Sequence, residues 1–592
     1  MTRKQAGDKS RKLLQGVVPI HILFVTLFAL ALLFNIWRAP FGYFTRDESL
    51  YLAIPYRMLQ GDVLLLHEWN QAQMSSFLLL PLVKLYLSVF GSTDGIALFF
   101  RYLYVFFHSL VALFIYCRTS RLCVPGSRVA GIIAAVLYEL YCYHDIIALS
   151  YNSMGIGLLI VFTLAAATCR SVRQMFFAGF ALAGAVLCCP YLAALYLLYG
   201  AAVFIPILRP ASPEAGIAFS RKSWLLVTAA CLLCALAFFA PILFSGKAAL
   251  LPATLKEILT DRQHPKRSLG ELVSGYFSSF WRYNGNGKLV LVGILSLSAA
   301  ILFDRKRALR RPLYLMAAAA LSVLYSLTYL LMYPSDEGFV FCFVMVGFFA
   351  YLVTDRRNRS VFVTLFLPAA VFSFCSYSVS NLGPISIMAS MTAALPAASV
   401  FVVSAVWEML TQSKDSAAQR GLSLCSSVLV ALCTFYFLYG IAAERMENVF
   451  FDSPPTELSA TFREGSSRGL KSTPERVADY DGAYHALAPL REIEDGSVLY
   501  LSTESRLYLE DPKNCASFSM WLWTNNPVEY NAQRLKTYWS LFPEKVPDYI
   551  YLDEKQCESE EYLAAFEAEK FPQMKFERGL VLCPGEQLPK KQ

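Results

Sequence analysis

Charge is what this sequence is short of. Only 16% of its 592 residues are Asp, Glu, Lys or Arg, while 56% are apolar. A soluble chain of this length would need far more charged surface, so the composition points to a polytopic membrane protein. Zinc-type cysteine pairs are missing as well. The 15 cysteines fall mostly inside apolar runs, such as Cys188–Cys189 and Cys231/Cys234, where they read as small packing residues. Only Cys515, Cys557 and Cys583 lie in polar sequence, enough for at most a single internal disulfide. No small-residue cleavage site follows the first apolar run, which therefore reads as a retained anchor. The polar segment from about 443 onward lacks a glycine-rich phosphate loop and a recognisable catalytic triad, and the chain shows no internal repeat. The last of these weighs against an inverted-repeat transporter. The net charge of +8 is too diffuse to suggest a nucleic-acid partner.

What is there is a succession of apolar runs near the length of about 20 residues that spans a bilayer. They fall near 17–37, 97–117, 129–143, 153–168, 175–189, 191–208, 224–244, 288–303, 312–333, 338–353, 361–379, 384–407 and 421–442. The reading is a polytopic α-helical membrane protein of about 13 spans. Lys and Arg mark alternate connections: the N-terminus, Arg118/Arg121/Arg128, Arg170/Arg173, Arg209/Arg221/Lys222, "DRKRALRR" at 304–311, "DRRNR" at 355–359 and Lys414/Arg420. The intervening turns "HDIIALSYN", "YPSDEG" and "SNLGP" have none. By the positive-inside rule this predicts a multi-pass plasma-membrane protein with a cytoplasmic N-terminus and an external C-terminus.

Two external segments are long. The first, 38–96, contains "SSFLLLPLVKLYLSVFG", interrupted by Pro81 and Lys84. It is read as an interface-lying or half-inserted helix, because counting it as a span would invert every later basic loop. The second, 245–287, carries Lys247, Lys256, Arg262, Lys266, Arg267 and Arg282. Its two readings are contact with anionic headgroups and a grip on a phosphate. The membrane domain is thus placed at 1–442. Residues 443–592 turn soluble in composition and predict a small α/β extracytoplasmic domain. Strand patterns lie at 497–502, 548–553 and 579–583, and helical ones at "YDGAYHALAPLREI" and "ESEEYLAAFEAEKF". An accessory or acceptor-binding role is expected of it.

The chemistry is expected in the first long loop. Asp47 and Glu48 stand side by side ahead of "SLYLAIPYRMLQ", whose apolar spacing is helical, so the pair sits at a helix N-terminus on the membrane face. His67, Glu68, Trp69, Asn70, Gln71 and Gln73 follow in the same loop. The stretch "RDESLYLAIPYRMLQGD" to "FGSTDGIALFFRYLYVFFHSLVALFIYCR" resembles the first-loop signature of the GT-C glycosyltransferases, in the branch of the protein O-mannosyltransferases and lipid A aminoarabinose transferases. The matching positions are Asp47, Glu48, Tyr51, Gly61-Asp62, Phe90-Gly91 and Arg101, within residues 38–120. The resemblance implies transfer of a sugar from a polyprenyl-phosphate donor to a glycan, lipid or protein acceptor on the external face.

Under that reading Asp47 is the general base for the acceptor hydroxyl and Glu48 its helper. The two together are the candidates for a divalent cation, if one is used. The leaving phosphate needs donors, for which Arg57, Arg101, Arg267 and Arg282 are candidates. Tyr51, His67, Gln71 and Gln73 are further substrate-binding candidates. The branch's Lys-Pro step is absent, and His67 with Gln71 or Gln73 is the conjectured replacement. Asn152 stands where many relatives have Asp; Asp145 either substitutes for it in the cavity or caps the helix. Arg101, inside an apolar segment, either serves the site or snorkels outward. A second acidic pair, Asp336–Glu337, is read as a solvated turn in preference to a part of the same cavity. The competing readings are a lipid or polysaccharide flippase and a non-catalytic glycan-binding membrane protein.

Overall fold

A computed structural model describes the chain except residues 1–2, 206–208, 210–212, 261–266, 283–286, 307–308, 331–334, 355–357, 381, 413–415, 494, 523–525, 554–558, 568–570, 577–578 and 584–592. A helix stands at each position where the sequence predicts a span, from Arg3–Arg38 to Ala417–Glu447. Eight helices among the described residues are long and apolar enough to cross a membrane, and one of these is Gln73–Phe90, which the sequence places at the interface. The protein is a multi-pass helical membrane protein with a small C-terminal sheet region.

Connectivity decides what Gln73–Phe90 does. Just before it, the Trp69 amide donates to the Phe518 carbonyl at 2.7 Å. Just after it, Gly95 donates to the Gly465 carbonyl at 2.9 Å, and the Thr93 hydroxyl to Leu509 at 2.6 Å. Both ends of the helix therefore rest on the same C-terminal region, so it returns to the side from which it started. One flank buries Leu79, Val83 and Tyr86, while Leu85, Val89 and Phe90 are 56%, 66% and 59% exposed. An apolar outer flank on a helix that does not cross is the pattern of an interface-lying segment.

Beyond residue 447 the chain forms a five-stranded mixed sheet, in the order Asn514–Cys515, Ser497–Leu501, Tyr549–Asp553, Gly579–Leu582, Gln573–Phe576. The first three strands are parallel and the last two antiparallel to their neighbours. Ser497–Leu501 is buried at every residue, as a central strand covered on both faces should be. A continuous buried apolar cluster joins this sheet to the membrane helices. The seam is also stitched by backbone: Gly42 donates to Lys471 at 2.9 Å, and Lys471 donates back to Pro40 at 2.7 Å. Gly42 has φ +108°, and a Cβ there would lie 2.6 Å from Val449, so only glycine fits this approach. The Cys515 and Cys583 thiols are free and buried; Cys557 lies outside the described residues.

The second external segment docks in part on the sheet region. Lys247 pairs with Glu544, and Arg534 donates to the Glu257 carbonyl at 3.1 Å. For Lys247 this is a third role, neither headgroup contact nor phosphate binding. Arg262 and Lys266, and the side chain of Arg282, lie outside the described residues.

Candidate active site

Helix Arg46–Leu59 opens with Thr45 as its N-cap and puts Asp47 and Glu48 in its first turn, near the positive end of the helix dipole. The two carboxylates then part company. Glu48 is buried and meets Arg101 as a fork: Nε to Oε1 and Nη2 to Oε2, both 2.7 Å. Burial pushes the Glu48 carboxyl up, and the Arg101 guanidinium opposes it. Arg101 also donates to the carbonyls of Ala39, Phe41 and Tyr43 at 3.1–3.3 Å. The buried Arg101 thus neither snorkels nor offers a free fork. It fixes the turn that delivers Asp47.

Asp47 is half-buried, and its carboxylate accepts no hydrogen bond among the described residues. Burial raises its pKa above the ordinary value, with Arg46 and His144 pulling the other way. Around it lie Tyr51, Tyr143 and Tyr151, all within its electrostatic reach; the Tyr51 and Tyr151 rings meet edge-on at 6.0 Å. Asn152 is buried beside them.

The short turn Tyr143–Asp145 supplies the other wall. His144 and Asp145 both adopt left-handed backbone, φ 51° and 53°, an uncommon state for residues other than glycine. This places His144 towards Asp47 and Asp145 towards the helix ends. Asp145 is bound by Arg38 and by Arg445, whose Nε is 3.4 Å away. Between the two readings of Asp145, the structure adds a buried ion-pair latch joining the ends of Arg3–Arg38 and Ala417–Glu447. A small cavity beside it is lined by Thr45, Glu48, Arg101, Asp145 and Ile146.

Asp336 and Glu337 depart from the solvated-turn expectation. They are 3% and 0% exposed, at the start of Asp336–Val353. Asp336 accepts from the Cys142 amide at 3.0 Å and Glu337 from the His144 amide at 2.7 Å. The His144 ring sits 3.7 Å from Glu337, with its Nε2 buried and unpartnered. The second pair thus holds the 142–145 turn in its unusual shape. The repeated Asp-Glu was the signal in the sequence; what hid its role was the 190-residue gap (193 positions from His144 to Glu337).

Other predicted residues form a separate cluster. Arg57 is buried and donates to Asp62, Glu68 (2.9 Å), the carbonyls of His67 (2.6 Å) and Ser517 (2.7 Å), and the Tyr538 hydroxyl (2.9 Å). Burial raises the Asp62 carboxyl, but Arg57 and Lys545 outweigh it and bring it below its ordinary value. Burial drives the His67 imidazole down to about 4 against the pull of Asp62, and its Nδ1 accepts from the Val63 amide at 2.9 Å. Gln73 accepts from the Leu65 amide at 2.6 Å, and Gln71 donates to Ile258 at 3.3 Å. This cluster clamps the first loop to the sheet region. Arg267 is exposed, with its guanidinium 5.8 Å from the Tyr377 ring.

Among the described residues no group of three or more His, Cys, Asp or Glu is placed to hold a metal ion. Both Glu48 oxygens are taken by Arg101, so Asp47 and Glu48 do not fit a shared divalent cation.

No family model matches the sequence, and no curated relative matches it. Among solved structures the chain is similar to ArnT from Cupriavidus metallidurans bound to undecaprenyl phosphate, at 14% identity and a TM-score of 0.47, over 97% of this chain and 100% of that one. It is also similar to the Archaeoglobus fulgidus oligosaccharyltransferase tethered to an acceptor peptide, at 13% identity and a TM-score of 0.42, over 90% of this chain and 69% of that one. The same organism's AglB, in complex with an inhibitory peptide and a dolichol-phosphate, gives 12% identity and 0.39 over the same shares. At such identity and overlap, residue roles do not transfer by position.

Proposed function

We propose that the protein is a membrane glycosyltransferase that moves a sugar from a polyprenyl-phosphate donor to an acceptor on the external face, with Asp47 as general base. The observation that carries this reading is the division within the first acidic pair. Glu48 is spent on Arg101, whereas Asp47 is held in place by its helix with its carboxylate unengaged and its basicity raised by burial. A hydroxyl docked against Asp47 gives up its proton as its oxygen attacks the anomeric carbon. The bond from that carbon to the phosphate oxygen breaks, and the lipid phosphate leaves with the electron pair. General-base assistance of this kind is worth roughly 10²–10⁴-fold.

Glu48 and Arg101 act as positioning residues, and the tyrosines around Asp47 offer ring faces and hydroxyls to a sugar. Of the four arginines considered for the leaving phosphate, Arg57 and Arg101 are committed to internal partners. Arg267 is the described one that faces solvent, and it takes this role in the proposal. The test is transfer from a labelled polyprenyl-phosphate sugar in membranes, comparing wild type with Asp47→Asn. Loss of transfer in the variant is expected. Undiminished transfer in Asp47→Asn removes Asp47 as base, and no transfer by wild type from any such donor removes the transferase reading.

A further inference from the structure

A second cavity, of ≈ 270 Å³, opens on the sheet region away from Asp47. It lies beyond the carboxyl ends of Ser497–Leu501 and Tyr549–Asp553, which are adjacent and parallel. The chain leaves these strands in opposite directions. The first leads to Asn514–Cys515 on one flank, and the second to Gln573–Phe576 at the far edge. Where connections diverge in this way, the loops part and leave a crevice, the usual ligand position in open α/β sheets.

The lining matches that position. Glu504 and Arg506 follow the first strand, and Tyr551 and Asp553 end the second. Arg476 and Asp479 rise on helix Pro474–Ala486 to form the rim. Tyr43 enters from the first long loop, its amide anchored on Asp452 at 2.7 Å. Arg506 is buried, lies 4.5 Å from the Tyr480 ring and 6.0 Å from that of Tyr43, donates from Nε to Glu504 at 3.2 Å and pairs through Nη1 with Glu510 at 3.6 Å.

The chemistry excludes an anion as the natural occupant. Two guanidiniums stand among three carboxylates, so no positive excess is available to hold a phosphate. Carboxylates and guanidiniums side by side instead suit vicinal hydroxyls, each of which donates to the first and accepts from the second. The Tyr43 and Tyr551 rings with Leu487 and Leu507 offer apolar surface to the C–H face of a pyranose. The volume falls just under the roughly 300–1,000 Å³ of pockets for drug-sized ligands, which suits a single ring.

We propose that this crevice is a carbohydrate subsite gripping one neutral or amino-bearing sugar of the acceptor glycan. The word acceptor rests on the transferase reading above; the sugar chemistry does not. Tyr43 stands four positions before Asp47 and so ties the subsite to the reaction centre.

The full chain in lipid nanodiscs is titrated with methyl glycosides of glucose, galactose, mannose and glucosamine, and with inorganic phosphate, and read by saturation-transfer NMR. At least one glycoside should bind saturably, with Asp479→Ala and Asp553→Asn each weakening it about tenfold, the scale of one lost charged hydrogen bond. Binding of phosphate alone, no glycoside binding, or wild-type affinity in both pocket variants overturns the subsite. Glycoside binding that the pocket variants weaken, in a wild type that transfers no sugar from any lipid donor, upholds the subsite and removes the transferase reading.

Discussion

Two Asp-Glu pairs open two helices of this protein, and they do opposite work. Asp336 and Glu337 are both buried and both turned onto backbone amides, those of Cys142 and His144. Asp47 and Glu48 are divided: Glu48 is locked to Arg101, and the Asp47 carboxylate accepts no hydrogen bond among the described residues. The difference is one of partners. Burial raises both carboxyls of the first pair, so basicity does not divide them; a carboxylate that meets amides or a guanidinium is held to structure, while one without such a partner is left open to a substrate proton. Identical dipeptides in the first turns of two helices thus mark a scaffold in one case and a candidate reaction centre in the other.

The largest expected break in this contrast is Asp47→Asn. Transfer from a labelled lipid-phosphate sugar should fall roughly 10²–10⁴-fold. Its effect on stability has the other sign. Because the folded-state pKa of Asp47 is raised, its contribution to stability is full at low pH and lost as pH rises through that value. At neutral pH the variant should therefore melt at the wild-type temperature or above it. Glu48→Ala should do the reverse of Asp47→Asn, costing about 3–5 kcal/mol by leaving Arg101 buried and unpaired. Chemical unfolding in detergent measures this, and wild-type stability in Glu48→Ala would refute the division.

Glu337→Ala leaves the His144 amide without its acceptor and should cost about 1–3 kcal/mol. Transfer should drop along with it as the 143–145 turn relaxes, a coupling that thermal melts and transfer rates on the same samples reveal. The pH profile of transfer sharpens the contrast further. The acid limb should lie above the ordinary carboxylate range, because burial raises Asp47, and it should vanish in the residual activity of Asp47→Asn. The smallest effect concerns His67. Its folded value of about 4 lies below the ordinary 6.5, so its contribution is full above 6.5 and lost as pH falls towards 4. A His67→Gln variant should show a shallower loss of melting temperature across that window.

Much of the architecture was legible because it is written in local patterns. Apolar runs located the helices, and period-two alternation located three of the five strands. The helix at 46–59 and the acidic pair in its first turn were visible for the same reason. Pairings were not legible. Arg101 reads as a phosphate candidate until its fork is seen on Glu48, 53 residues earlier, and Arg57 until it is seen to reach Ser517, 460 residues later. An arginine in an apolar run announces that it needs an anion, but the sequence does not say whether the protein or a ligand provides it. The sugar crevice was out of reach for a related reason: its lining comes from four separate segments that only the sheet topology gathers.

The helix that returns to the side it came from fixes a height. With Leu85, Val89 and Phe90 exposed on its apolar flank and both ends fastened to the sheet region, it would act in a bilayer as a keel, setting how far Asp47 stands above the hydrocarbon. That height is measured from one leaflet alone. A thicker or thinner bilayer would shift the far ends of the spanning helices and leave Asp47 level with the same phosphates, so under the proposed function a lipid-borne donor would meet it at constant depth.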